Sequence, residues 1–309
     1  MKIVDLPKQG YFKRMSIYLA EMFPTPLRFL SSFLLYISFV MVLERIHGVK
    51  VTIYSSYTLV GTLSIFFLML ILRLMDELKD REIDLELFSG RPLPSGRVLE
   101  SDIRLGLVVV GALYLAANIL VAQVFLVALC VLGYALLMFK YFFIPRILRR
   151  YLLLNLLTHN PIVPILLFYV LILFSVAHGL SLRDLNWSFS FLLISMYWAM
   201  FFAWEVARKI RSQEEESAYV TYSQIFGPLC AVLVAGGAQT IAFAIGIYFF
   251  YSLSLSGVFL AILLVGYGIT MWGHARFIIN PNPVTSKLKL FAERYIVSVL
   301  VAQIVGNFA

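Results

Sequence analysis

Charge is what this sequence has least of. Only 14% of its 309 residues are Asp, Glu, Lys or Arg, against 61% hydrophobic residues and a mean hydropathy of +0.90. A soluble domain is nearer half apolar and about a quarter charged. The shortage excludes a soluble globular protein and a disordered chain. The formal net charge of +8 does not point to nucleic acid either, because the bases are interleaved with long apolar runs and have a different use. Cysteine and histidine are also scarce, at two and four residues. Cys130 and Cys230 each fall in an apolar run, where a cysteine is expected as a buried packing residue rather than as half of a disulfide or metal pair. Lys2, Lys8, Lys13 and Arg14 precede the first apolar run with no small-residue cleavage site, so no removable signal peptide is expected.

Apolar runs are abundant. A helical membrane span needs about 20 mostly apolar residues, and nine stretches qualify: 27–43, 56–75, 103–121, 123–143, 152–176, 188–207, 226–251, 256–275 and 289–307. The expected fold is an all-α, multi-pass integral membrane protein with nine transmembrane helices. Residues 1–309 form one membrane-embedded domain, since the spans leave no room for a separate soluble one. The third and fourth spans are nearly continuous, with a turn near Ala122. The fifth contains Asn155, His159, Asn160 and Pro161 and should kink there. With the N-terminus in the cytoplasm, 22 of the 25 bases fall on the cytoplasmic side, leaving Arg45, Lys50 and Arg183 on the other. The net positive charge is therefore a topology signal, giving a basic cytoplasmic face next to anionic lipid.

The acids are segregated too. Of 17, six lie at Asp76, Glu77, Asp80, Glu82, Asp84 and Glu86, and four at Glu205, Glu214, Glu215 and Glu216. Both groups stand at cytoplasmic ends of spans, the second and the sixth, so they can meet over one cavity. On a continuous helix, at 100° per residue, Asp76, Asp80, Asp84 and Glu77 share about one quarter of the surface. Glu82 and Glu86 fall on a solvated face. Two like charges 4 Å apart repel by about 4 kcal/mol at an effective dielectric near 20. A hard divalent cation relieves that crowding, and carboxylates with water suit Mg²⁺. The alternative is a helix end lined with salt bridges to Lys79 and Arg81. The following loop, Arg91-Pro92-Leu93-Pro94-Ser95-Gly96-Arg97, favours the metal. Its prolines and glycine make it non-helical, and Arg91 and Arg97 offer forked donors suited to phosphate oxygens.

This stretch resembles the first motif of the UbiA superfamily of intramembrane prenyltransferases, Asn-Asp-x-x-Asp-x-x-x-Asp followed by Arg-Pro-Leu-Pro-Ser-Gly. Asp76, Glu77, Asp80 and Asp84 take the four acidic-motif positions, the first two as substitutions, and Arg91 to Gly96 match completely. The family's second motif is degenerate here. Glu205 aligns with its upstream acid, Ser212 stands where an Asp is expected, and Glu216 (or Glu215) takes the last acidic position. The resemblance implies a UbiA-like nine-helix bundle with a central cavity open to the cytoplasmic side of a membrane, expected to be a prokaryotic cell membrane. It implies Mg²⁺ held by Asp76, Glu77, Asp80, Asp84, Glu205 and Glu216. It also implies a prenyl diphosphate held by Arg91, Lys140, Arg208, Lys209 and Arg211, and transfer of the isoprenoid to a hydrophobic or aromatic acceptor. No nucleic-acid partner is implied.

Lys140 has an equal reading as a topological lysine, as has at least one of Arg208, Lys209 and Arg211. Asn155 and His159, polar residues within a span, are candidates for the acceptor side, or else interhelical hydrogen-bonding groups at a proline kink. His47, His178 and His274 are expected at loops or span ends without a role. Three other activities stay open: cyclisation of the prenyl diphosphate, transfer of a sugar phosphate to a prenyl phosphate, and lipid transport or binding without chemistry.

Overall fold

Every regular element among the described residues of the computed structural model is helical; these residues are 9–50, 53, 55–217 and 220–308. Lys2 and Lys8, counted above with the cytoplasmic bases, lie outside them. The chain divides into two compact units, Met1–Tyr36 with Tyr54–Pro145, and Ile37–Ile53 with Arg146–Ala309.

The first unit contains α1 (Tyr11–Met22), the first half of α2 (Thr25–His47), α3 (Ser56–Lys79), α4 (Arg81–Leu87), α5 (Glu100–Ile119) and α6 (Ala122–Phe139). Ser55 starts α3 by accepting a hydrogen bond from the Thr58 N–H at 3.1 Å. α3 packs on α5 and α6, and α1 on α5. Without solvent to drive helices together, spans associate through small residues and close packing. Gly61 on α3 meets that need, because a Cβ there would lie 2.0 Å from the ring of Tyr36. α1 is pinned by a forked ion pair, Arg14 Nε and Nη2 donating to Asp102 at 2.6 and 2.7 Å. Asp102 also accepts the Leu99 N–H at 2.9 Å, closing the start of α5. α5 and α6 are separated by Leu120 and Val121 alone, as expected.

The second unit holds the rest of α2, most of α7 (Pro145–Arg150), α8 (Leu152–His159), α9 (Ile162–Ala177), α10 (Trp187–Ala207), α11 (Tyr222–Phe226), α12 (Pro228–Ser252), α13 (Gly257–Ile279) and α14 (Leu288–Phe308). The fifth expected span breaks where it should, between His159 and Ile162. Asn160 there accepts the Trp198 indole N–H at 2.5 Å, which is the interhelical bond the kink reading calls for. A buried polar chain runs Ser38–Tyr197–Gln303 and joins α2, α10 and α14. Gly246, Gly266, Gly273 and Gly306 admit side chains of neighbouring helices.

Among the described residues, eight helical segments are long and apolar enough to cross a membrane, with α8 and α9 counted as one. The chain is a multi-pass integral membrane protein. The ninth expected span, 289–307, exists as the helix α14. Lys289, Glu293 and Arg294 stand in its first two turns and make it less apolar than the other eight. One further expectation needs correction. Cys130 and Cys230 are free, as expected, but exposed rather than buried, because the apolar runs that contain them turn one face outward. His274 lies in the last two turns of α13 and is 4% exposed.

Candidate active site

The first acidic motif does not lie on one continuous helix. α3 ends at Lys79, and Asp80, with φ −98° and ψ 10°, is both its C-cap and the N-cap of α4. The 100° spacing therefore holds for Asp76 and Glu77 but not through to Asp84, which belongs to α4. No proline or glycine marks this break.

Glu77 is 1% exposed. One of its oxygens accepts from Arg73 Nη2, one turn earlier, and the other is buried with no hydrogen-bond partner. Tyr18 of α1 is buried nearby. Desolvation, reinforced by the Glu77 carboxylate, holds its hydroxyl far above the ordinary phenol range. Asp76 is half exposed and lies 3.8 Å from Lys79 Nζ. That ammonium also stands over the Tyr141 ring at 4.6 Å. Tyr141, Phe142 and Phe143 all have positive φ, between 49° and 61°. Such a run of non-glycine residues is costly and persists only where its surroundings hold it. α6 consequently stops at Phe139, short of the expected 143.

Asp84 is buried and accepts both contacts of Arg91 Nη1, at 2.7 and 2.8 Å. The Arg91 guanidinium lies 3.9 Å from the Phe88 ring centroid. Asp84 and Arg91 are also within electrostatic reach of Glu77. The first motif and the arginine loop thus form one charged cluster within the first unit. Arg97 stands apart from it. It donates to both carboxylate oxygens of Glu21, the second at 2.9 Å, and to the Gly90 carbonyl at 2.8 Å. It braces the loop, contrary to its expected use as a phosphate donor. Gly96 has φ +76°, so the motif's final glycine is required by the backbone. Glu82 and Glu86 are exposed, as expected. Lys140 is exposed at the end of α6, 5.3 Å from the Phe139 ring.

In the second unit, Glu205 is held by Arg208 at 2.5 and 2.6 Å. Lys209 lies over the Tyr222 ring at 5.8 Å. The Arg211 guanidinium donates to the carbonyls of Arg208 and Ile210. Ser212 is fully buried, and its hydroxyl and N–H both donate to Glu215. Glu215 is half-buried. Desolvation pushes its carboxyl up, but hydrogen bonds from Ser286 and Ser212 outweigh it and hold the pKa below the ordinary range. Glu216 accepts from the hydroxyls of Thr221, at 2.9 and 2.8 Å, and Ser223, at 2.7 Å. Glu216 thereby ties itself to the start of α11. Asn155 has a buried Oδ1 with no partner, and His159 Nδ1 is 2.9 Å from the Asn155 carbonyl.

Among the described residues, no group of three or more Asp, Glu, His or Cys side chains is gathered tightly enough to hold a metal unaided. Ion pairs contribute to this: Glu77 is taken by Arg73, Asp84 by Arg91 and Glu205 by Arg208. Sequence reasoning missed the two struts Arg14–Asp102 and Glu21–Arg97, whose partners are 88 and 76 residues apart.

The fold is that of the UbiA membrane proteins. The structure of a digeranylgeranylglyceryl phosphate synthase covers 96% of this chain and 99% of its own, at a TM-score of 0.64 and 16% identity. The ligand-free structure of a UbiA homologue from Aeropyrum pernix K1 covers 89% and 96%, at 0.65 and 16%. No protein-family model matches the chain, and no curated protein does.

Proposed function

We propose that this protein is an intramembrane prenyltransferase of the UbiA type, which transfers an isoprenoid from an allylic prenyl diphosphate to a hydrophobic or aromatic acceptor and uses Mg²⁺. The observation that supports this best is the pairing of Asp84, the last acid of the first motif, with Arg91 of the Arg-Pro-Leu-Pro-Ser-Gly loop. It occurs on a fold shared with a digeranylgeranylglyceryl phosphate synthase and a UbiA homologue.

The residues fit such an ion in a particular way. Mg²⁺ commonly takes one or two protein carboxylates and completes its shell with substrate phosphate and water. Glu77 has a buried oxygen with no hydrogen-bond partner, and Asp76 and Asp80 stand within three residues of it. These three would hold the ion together with the diphosphate. Asp84 is assigned the orientation of Arg91. In the second unit, Glu205 is assigned as a metal ligand by its place in the second motif, and Glu216 only if it exchanges its Thr221 and Ser223 partners. When bound, the ion supplies positive charge opposite the leaving diphosphate.

The chain's own side chains do the rest. Arg91, fixed by Asp84 below and Phe88 alongside, donates to phosphate oxygens. Lys140 and, in the second unit, Arg208, Lys209 and Arg211 are assigned to phosphate oxygens as well. The C1–O bond breaks with its electron pair leaving on the diphosphate. The acceptor then bonds to C1 and loses a proton. Asn155 and His159 are assigned to orient that acceptor.

The test uses purified full-length protein with Mg²⁺, labelled geranyl, farnesyl or geranylgeranyl diphosphate, and membrane lipid extract. Diphosphate release and a prenylated product are expected, both abolished by EDTA and by Asp80→Asn. Release giving a hydrocarbon or alcohol without extract would make the protein a cyclase. No release with any donor would overturn the prenyltransferase reading.

A further inference from the structure

We propose that the paired ends of α13 and α14 hold an anionic phospholipid, its phosphate against Arg276 and Arg294 and an acyl chain in the groove between the two helices. The inference is independent of the transferase reading. From Arg276 to Arg294 the sequence has four bases and one acid, Glu293. Glu293 is already engaged, by Lys289 Nζ at 3.6 Å and by the Trp204 indole N–H at 3.2 Å. Neither arginine has a carboxylate partner among the described residues. Each lies over a ring instead, Arg276 at 4.8 Å from Trp272 and Arg294 at 5.8 Å from Phe291. The two rings meet edge-on at 6.1 Å, so two exposed cations flank one aromatic pair.

Small residues shape the apolar part of the site. A Cβ on Gly273 would lie 2.6 Å from the Phe291 ring, and one on Gly266 2.7 Å from Ser298. The helices therefore approach closely and leave a groove of about 470 Å³, walled by Ile269, Leu290 and Val297 and lined by Arg294 and by Glu293, whose charge Lys289 already answers. All three apolar residues are exposed. Arg276 lines a second groove of about 610 Å³ at the end of α13, which gives room for a headgroup.

An arginine on the outward face of a span is tolerated when its head reaches the interface or a counter-charge, and anionic lipids attract bases near the membrane surface. An interfacial tryptophan beside the arginines fits the same depth. A zwitterionic lipid would satisfy the groove but not the unpaired charge, which selects the anionic class.

The test is native mass spectrometry of the full-length protein in detergent, titrated with phosphatidylglycerol or with phosphatidylcholine of the same chains. Wild type should bind the first phosphatidylglycerol about tenfold more tightly than phosphatidylcholine. The double variant R276Q/R294Q should lose most of that preference. Val297→Trp, which fills the groove and leaves the charges in place, should weaken both lipids. Arg183→Gln, at an exposed base elsewhere in the second unit, should change nothing. The proposal is overturned if wild type shows no preference or if R276Q/R294Q keeps it. It is equally overturned if Arg183→Gln removes the preference too, or if inorganic phosphate displaces the lipid.

Discussion

At the residue scale, two side chains bear most of the weight. Arg91 makes two contacts from one nitrogen to Asp84 and stacks on Phe88. Lysine keeps the charge but neither the fork nor the stacking. Arg91→Lys should therefore lower kcat/KM for the prenyl diphosphate by about 10- to 100-fold, the size of one charge-assisted contact. Initial rates of diphosphate release check this, and a variant as fast as wild type would remove Arg91 from the substrate's shell. Glu77 is the second. Its unpartnered buried oxygen is the best candidate ligand, and glutamine preserves its shape without the charge. Glu77→Gln should raise the Mg²⁺ concentration for half-maximal activity by about tenfold, in line with the loss of one ligand among several. An unchanged Mg²⁺ requirement would reduce Glu77 to the structural partner of Arg73.

At the scale of elements, the sequence reading succeeded where periodicity and punctuation governed and failed where a chain break had neither. Hydrophobic runs located the spans, and Asn160–Pro161 foretold the division of α8 from α9. The break at Asp80 carries no such sign, so four carboxylates were placed on one helix when the structure puts Asp84 on another. Packing supplies one stability prediction. Gly61 lies against the Tyr36 ring, and Gly61→Leu should destabilise the protein by about 1–3 kcal/mol or more through overpacking. The shift should appear in thermal unfolding and shrink in a Tyr36→Ala background. A pH prediction concerns the loop brace. The Arg97 guanidinium bonds to Glu21 and holds its carboxyl below the ordinary range. A depressed folded-state pKa stabilises above the unfolded value, near 4.3, and the effect is lost as pH falls through the folded value. Amide protection in residues 88–98, relative to intrinsic exchange at the same pH, should therefore fall on acidification below about pH 4. Glu21→Gln should give the same low protection at neutral pH as well. A loop with the same protection in both conditions would show that this pair is not its brace.

At the scale of the whole molecule, the sequence orders the spans, whereas it does not name ion-pair partners. Arg14 reads as one more cytoplasmic base, yet it pins α1 to Asp102, 88 residues away; no local pattern encodes that distance. The basic bias predicts that a reporter enzyme active only outside the cytoplasm works when fused after Arg183 and fails when fused after Ser212. The opposite pattern would invert the chain. The account's central claim is that the acidic end of α3 and the Arg91 loop act on a prenyl diphosphate. The most direct measurement is Mg²⁺-dependent diphosphate release by the reconstituted full-length protein, compared with Asp80→Asn and Asp84→Asn. The account predicts release by wild type and a loss of at least about 100-fold in both variants. Full turnover in either variant would contradict it.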